Sequence, residues 1–148
     1  MKRFLIAVIA LLAFAVVSNA QPRALGVRGG YGVELSYQHI LNSNFAELDL
    51  GWAPGEINVV AVYDFLVANS GNFNFYVGPG VRVGSFRTTN DVLGLNLGIA
   101  AQLGAEYEIQ AAPINISLDW RPVVNFFGEG NQRGFNGNYL ALGIRYRF

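Results

Sequence analysis

Charged side chains recur at alternate positions along much of the chain, and such a pattern could build either a network of buried ion pairs or a charged pathway for ions. Alternate residues of a β-strand point to the same face, so these groups are expected to line one surface. Matched charges in contact would fill a narrow interior, whereas rings of charge around water would conduct ions. The charged face carries five arginines and seven acidic residues: Arg28, Arg82, Arg121, Arg145 and Arg147 with Glu34, Glu47, Asp49, Asp64, Glu106, Glu108 and Asp119.

Other reactive side chains are few. The chain has no cysteine and one histidine, which excludes disulfides, a thiol nucleophile and a cysteine zinc site. The histidine, His39, follows Ser36 by three residues, and this is the one arrangement that could form a Ser–His nucleophile. The strand pattern turns Ser36 to the charged face and puts His39 at a strand end. We therefore expect an interfacial histidine rather than a catalytic one.

Paired carboxylates are the other arrangement with chemical potential. Glu106 and Glu108 are two residues apart and share a face, so they could transfer protons. Charge balance against Arg145 and Arg147 is the simpler interpretation. We expect no enzyme, no metal site and no cofactor.

The elements that must position these residues are β-strands, because apolar and polar residues alternate with a period of two over most of the chain. Leu140, Leu142 and Ile144 share one face of the last segment, and Gly143 and Arg145 share the other. Turn-type stretches separate the segments. The pattern predicts eight antiparallel strands, at 24–31, 33–40, 45–52, 57–67, 73–86, 93–109, 114–121 and 139–148, with a tight turn at 30–32.

Three features indicate that the polar face points inward, as in a transmembrane barrel. That face uses arginine and no lysine, which suits buried pairing. It is also rich in glycine, which a narrow lumen needs. Aromatic residues near the strand ends would mark two membrane interfaces, one with Tyr37, Phe65, Phe73, Tyr107, Tyr146 and Phe148, the other with Tyr31, Trp52, Trp120, Phe126 and Tyr139.

The first twenty residues have the pattern of a secretory signal peptide. A basic start precedes an apolar run of 14 residues at 4–17, and small residues lead to a cleavage site after Ala20. The run is too short for a membrane-spanning helix, which takes about 20 residues. The expected mature chain, 21–148, has eight arginines, ten acidic residues and no lysine. This balance disfavours a nucleic-acid partner.

The eight alternating segments and the ending 143–148 resemble the small eight-stranded bacterial outer-membrane barrels of the OmpX/OmpA-like superfamily. The stretches at 103–109 and 113–122 are similar to those of compact barrels common in Bacteroidetes. The resemblance implies that the last strand is read by the barrel-assembly machinery, with Gly143, Tyr146 and Phe148 as the signal. Ala141 stands where that family usually has a polar residue.

These observations together predict an all-β, eight-stranded, up-and-down transmembrane barrel in the bacterial outer membrane. Eight strands leave an interior that side chains can fill, so we expect a plugged lumen and a structural or surface-interaction role. The expected surroundings are outer-membrane lipid and lipopolysaccharide, and the expected state is a monomer. Three alternatives stay open: a small passive channel, a lipid-modifying enzyme, and a secreted lipocalin-like binder with its apolar faces turned inward.

Overall fold

The structure, a computed structural model, describes residues 23–87, 92–128 and 133–148. The proposed signal peptide and its cleavage site at Ala20 lie outside the described residues, as do parts of two connections. The strands are β1 (Arg23–Gly29), β2 (Val33–Leu41), β3 (Asn44–Ala53), β4 (Glu56–Ser70), β5 (Phe73–Arg87), β6 (Leu93–Ile109), β7 (Ile114–Trp120), β8 (Val123–Phe127), β9 (Gly134–Asn136) and β10 (Leu140–Arg147).

These strands form one closed antiparallel barrel. Each strand from β1 to β6 pairs with the next, and β1 pairs with β10 to close the sheet. β7 and β8 both pair with β6, and the register is the same on either side of Pro122, so they form a single barrel strand. The register shifts only near the end of β8, between Leu97 and Gly98 of β6. β9 and β10 together form the eighth. The predicted eight-stranded barrel is therefore confirmed.

Tight turns connect most of the strands. The turn predicted at 30–32 is present: β1 ends at Gly29, β2 begins at Val33, and the amide of Gly30 donates to the carbonyl of Gly32 at 2.9 Å. The turn after β3 uses Gly55 at φ +75°, a conformation that glycine adopts without steric cost.

Two interruptions differ from a simple meander. Pro122 separates β7 from β8, as a residue without an amide donor should. We also expect a bulge or a strand end at Pro79, and that expectation is wrong: β5 runs through Pro79, and its register with β4 shifts instead between Leu66 and Ala68. The segment between the predicted strands at 114–121 and 139–148 contains a short strand, β9, which lengthens the wall.

Burial follows the predicted faces. Large apolar side chains of every long strand are exposed, among them Val81, Leu103 and Ile144. The buried residues are mostly charged or polar, such as Arg28 and Glu47. A lipocalin-like binder would need the opposite arrangement, so the exterior apolar band contradicts that alternative. No helix in the described part of the chain is long and apolar enough to cross a membrane.

Glycine at the closing seam permits β1 and β10 to approach. A Cβ on Gly26 would overlap the backbone carbonyl of Ile144 in β10, whereas a Cβ on Gly29 would meet nothing within 4 Å. We predict that Gly26→Ala lowers the unfolding free energy by about 1–3 kcal/mol, as overpacking does. Urea unfolding in detergent micelles, followed by tryptophan fluorescence, measures the change. Gly29→Ala is the matched control, and equal stability of the two variants would contradict the prediction.

Candidate functional site: the charged lumen

Three arginines from widely separated parts of the sequence meet in the centre of the lumen. Arg28 lies on β1, Arg145 lies on β10, and Arg121 lies between β7 and β8. The amide of Arg121 donates to the carbonyl of Tyr139 at 2.9 Å, which keeps the barrel wall continuous beside Pro122. All three guanidinium groups are almost completely buried.

Arg28 contacts carboxylates from three other strands. Its Nη1 lies 2.5 Å from Glu34 Oε2 and 3.1 Å from Asp49 Oδ2, and its Nε lies 3.0 Å from Asp119 Oδ2. Charge-assisted hydrogen bonds of this kind are about twice as strong as neutral ones. The side chain of Arg28 thus connects β1 with β2, β3 and β7.

Arg121 also contacts this acidic cluster, and it does so across the lumen from the carboxylates of β3. Its Nη2 lies 2.8 Å from Glu47 Oε1 and 2.5 Å from Asp49 Oδ2, and its Nε donates to Gln102 Oε1 at 2.7 Å. Asp49 therefore accepts from two arginines. The planar fork of a guanidinium, with five N–H donors, can serve several acceptors at once.

Arg145 completes the group with both charged and neutral partners. Its Nη2 lies 3.0 Å from Glu47 Oε2. Its Nε donates to Ser36 at 2.9 Å, and its Nη1 donates to Ser117 at 2.9 Å. Glu106 lies 3.7 Å away. The two serine hydroxyls thus accept hydrogen bonds from the N–H groups of Arg145 that have no carboxylate acceptor.

Neutral side chains solvate the remaining buried carboxylate. Asp64 is completely buried, and among the described residues no arginine lies within ion-pair distance of it. It accepts a hydrogen bond from Gln102 Nε2 at 3.0 Å. Gln38 Nε2 serves Glu47 in the same way, at 3.0 Å. The Tyr76 hydroxyl donates to Asp119.

Arg82 lies apart from the central group, towards the end of the lumen near the turn at 54–55. It pairs with Glu56 and donates to Asn96 Oδ1 at 3.0 Å. The ring of Tyr139 stacks on its guanidinium, with 5.5 Å between the ring centroid and Cζ. Tyr139 therefore lies inside the barrel, and its assignment to an exterior aromatic girdle is wrong. Tyr139 directly precedes β10, and the alternation of that strand gives it the same inward face as Gly143 and Arg145.

An apolar layer accompanies Arg82. It consists of the buried residues Val60, Val62, Ala100 and Val123, against which Tyr139 packs. Alternation does not reveal this layer, because β4 has apolar residues on both faces there. The lumen therefore contains a charged layer and, beside Arg82, an apolar layer.

The last predicted pair lies at the rim near the turns at 42–43 and 71–72. Arg147 Nη1 lies 2.6 Å from Glu108 Oε2, and both side chains are partly exposed, at 29% and 38%. Asn74 also donates to Glu108, at 2.8 Å. This pair is hydrated and does not belong to the buried network.

The structure thus divides the twelve charged residues predicted for the lumen. Eight contact the central group directly: Arg28, Glu34, Glu47, Asp49, Glu106, Asp119, Arg121 and Arg145. Asp64 joins it through Gln102, Arg82 stands apart, and Glu108 and Arg147 pair at the rim. Five further polar residues of the lumen were not predicted: Glu56, Gln38, Gln102, Tyr76 and Asn96. Alternation alone puts the glutamines and Asn96 on the inner face, but a selection by charge leaves them out.

Ser36 and His39 lie on opposite faces of β2. Ser36 is buried in the lumen and accepts from Arg145, whereas His39 lies on the exterior with its Nδ1 3.4 Å from the Tyr37 hydroxyl. This serine and histidine cannot share a proton. Among the described residues, no cluster of acidic and histidine side chains suits a metal ion.

Gly143, Tyr146 and Phe148, the residues of the proposed assembly signal, lie at the seam. Gly143 faces the lumen, where a Cβ would collide with the hydroxyl of Ser117. Tyr146 and Phe148 are exposed on the exterior, with ring centroids 6.5 Å apart. The amide of Phe148 donates to the carbonyl of Arg23 at 2.8 Å, which extends the closing ladder to the end of the strand.

The end of the lumen near the turn at 30–32 holds a cavity of only about 20 Å³, bordered by Arg28, Glu34, Asn58, Arg121 and Tyr139. A single water needs roughly 10–15 Å³. The space below the turn therefore accommodates about one water molecule. The charged side chains of the lumen compensate one another and leave no room for a larger ligand at this end.

Comparison with known proteins identifies the architecture and no closer relationship. No protein-family model and no curated protein sequence matches the chain. The crystal structure of Neisserial surface protein A (NspA) is similar, with a TM-score of 0.63 at 13% identity over 86% of this chain and 94% of that one. A de novo designed transmembrane β-barrel has a TM-score of 0.50 at 17% identity over 88% and 98%. The fold is that of a small transmembrane barrel.

Removal of Arg121 would leave Glu47 and Asp49 short of a partner in a dry site. We predict that Arg121→Met lowers the unfolding free energy by about 3–5 kcal/mol. Arg147→Met is the matched control, since it breaks an exposed pair worth about 1 kcal/mol or less. Urea unfolding in lipid vesicles, read from the fluorescence of Trp52 and Trp120, compares the two. Similar losses for both variants would show that burial does not govern these pairs.

Proposed function

We propose that this protein is an integral barrel of the bacterial outer membrane with a closed lumen and a structural or surface-interaction role. The observation that carries the proposal is the inverted burial pattern, with charged residues inside and a continuous apolar band outside. A transmembrane barrel needs this arrangement. The fold shared with NspA and a designed transmembrane barrel supports it.

The finer parts of the proposal concern biogenesis and surroundings. An N-terminal signal peptide would export the chain, and the barrel-assembly machinery would insert it by reading Gly143, Tyr146 and Phe148. Outer-membrane lipid and lipopolysaccharide would surround a monomer. We place it with the OmpX/OmpA-like barrels, of the compact Bacteroidetes type, on the sequence resemblance. The connection at 127–137, partly outside the described residues, is the proposed contact region for a surface partner.

A passive channel is the main alternative, and two observations disfavour it. The central arginines and carboxylates fill one layer of the lumen. The apolar layer of Val60, Val62, Ala100 and Val123 closes another. Ions would have to cross both layers, and an apolar constriction blocks them by excluding water.

A lipid-modifying enzyme is the second alternative. It would need a nucleophile beside a base at the lipid surface. Ser36 lies inside the barrel and His39 lies outside it, so this pair does not provide such a site. We therefore propose a protein without catalysis.

The proposal predicts folding that depends on an amphiphile. The chain from residue 21, refolded in detergent or lipid, should run faster on an unheated gel than after boiling. The same chain refolded in plain buffer should show no such shift, because its apolar exterior has no other cover. A soluble, monodisperse species in plain buffer would overturn the proposal.

The two closed layers predict an absence of conductance. Planar-bilayer recordings of the folded protein should show no channel openings, and Tyr139→Ala should show none either. The substitution opens the apolar layer on one side only and leaves the ion pairs around Arg121 in place. Discrete openings of the unsubstituted protein would favour the passive channel. Openings of the variant alone would show that the apolar layer is the only barrier.

A further inference from the structure

A groove of about 680 Å³ crosses the exterior of the barrel over β2 to β6. Its walls are almost entirely apolar. Its volume is within the range of ligand pockets, roughly 300–1,000 Å³. The groove is bordered by Tyr37, His39, Leu48, Tyr63, Val81 and Ile99, with Ala46, Ala61 and Gly80 beneath it.

The strand register explains the recess. Ala46 lies between His39 on β2 and Tyr63 on β4. Ala61 lies between Leu48 on β3 and Val81 on β5. Each alanine thus has a large side chain on both neighbouring strands, and the two alanines lie diagonally beside each other. The result is an oblique groove in the apolar exterior.

One end of the groove is polar. The hydroxyl of Tyr37 lies 3.4 Å from His39 Nδ1, and His39 is three residues from the turn at 42–43. In the tautomer in which Tyr37 donates to Nδ1, Nε2 carries the proton and can donate outward. Nearby, the hydroxyl of Tyr63 lies 3.4 Å from Asn44 Nδ2. The groove is therefore amphipathic, with hydrogen-bonding groups at the membrane interface and an apolar course beyond them.

We propose that this groove binds a membrane phospholipid, with one acyl chain along Ala46 and Ala61 and the phosphate accepting a hydrogen bond from His39. The inference rests on the proposed function, because it requires the exterior to face a bilayer. The amphipathic form of the groove matches the two parts of such a lipid. A second copy of the chain fits less well, because a two-fold interface would set this recess against the same recess.

The test uses a phosphatidylethanolamine with a photoactivatable diazirine near the end of one acyl chain. The full chain is expressed in a Gram-negative host, purified from membranes and reconstituted into vesicles with this lipid at low mole fraction. After illumination, mass spectrometry locates the labelled peptides. Labelling should concentrate on the peptides around Ala46 and Ala61, and unlabelled phospholipid should compete for it in a saturable way.

Two substitutions examine the two ends of the site. Ala61→Leu fills the groove and should abolish the enrichment, whereas Ala105→Leu adds the same bulk elsewhere on the exterior and should leave it unchanged. His39→Phe keeps the ring but removes the donor, and should weaken retention about tenfold, as loss of a hydrogen bond to a charged group does. Tyr107→Phe, which removes a hydroxyl from another exterior aromatic residue, is its control.

The possible results distinguish failure of the proposed lipid site from failure of the proposed membrane barrel. Uniform labelling around the exterior, or enrichment that survives Ala61→Leu, would overturn the lipid site while the gel shift on boiling still reported a folded barrel. Disulfide-linked dimers of an Ala61→Cys variant, formed under mild oxidation through the one cysteine of the chain, would assign the groove to a second copy and would also overturn the proposal. Failure to insert into vesicles, with no gel shift, would instead contradict the proposed function.

Discussion

The sharing of buried carboxylates among three arginines is the constraint on which the rest of this barrel depends. An eight-stranded interior leaves no aqueous channel, so each charge in it must be compensated by other side chains. Asp49 accepts from Arg28 and Arg121, whereas Glu47 accepts from Arg121 and forms an ion pair with Arg145. The carboxylates thereby hold the three cations in one layer. Replacing any one member leaves the others with too few partners in a place that water does not fill.

The same constraint accounts for the glycines of the wall and for the closed state of the lumen. A guanidinium needs space, and the neighbouring strand supplies it where a side chain is missing, as Gly143 does beside Arg28. Above the charged layer, Val123 and its apolar neighbours need no compensation and close the barrel by packing with Tyr139. A lumen built in this way is a solid core, so binding and interaction are left to the exterior and the rims.

Alternation in the sequence predicts the number of strands, the inward face and most of the charged lining, because period two is a direct consequence of strand geometry. It fails where that signal is lost. Val60 and Val62 lie in a segment that is apolar on both faces. Tyr139 is a different case: alternation gives it the inward face of Gly143 and Arg145, and only its aromatic ring suggested an exterior girdle. Partner choice was also beyond the sequence: Arg82 pairs with Glu56 at the start of β4, four positions from Val60, its own partner in the ladder. The missing side chain of Gly84 leaves space between them.

The distances along the chain between interacting residues also determine how the barrel can form. Arg28 and Asp119 are 91 positions apart, and Arg145 and Ser36 are 109 apart. Isolated hairpins such as β2–β3 contain acceptors without their cations, so an incomplete barrel would carry unpaired charge on its inner face. That cost in the membrane disfavours partly inserted states. Because contacts between distant residues form only after the intervening chain is ordered, closure of β1 on β10 and assembly of the arginine layer must be one cooperative event.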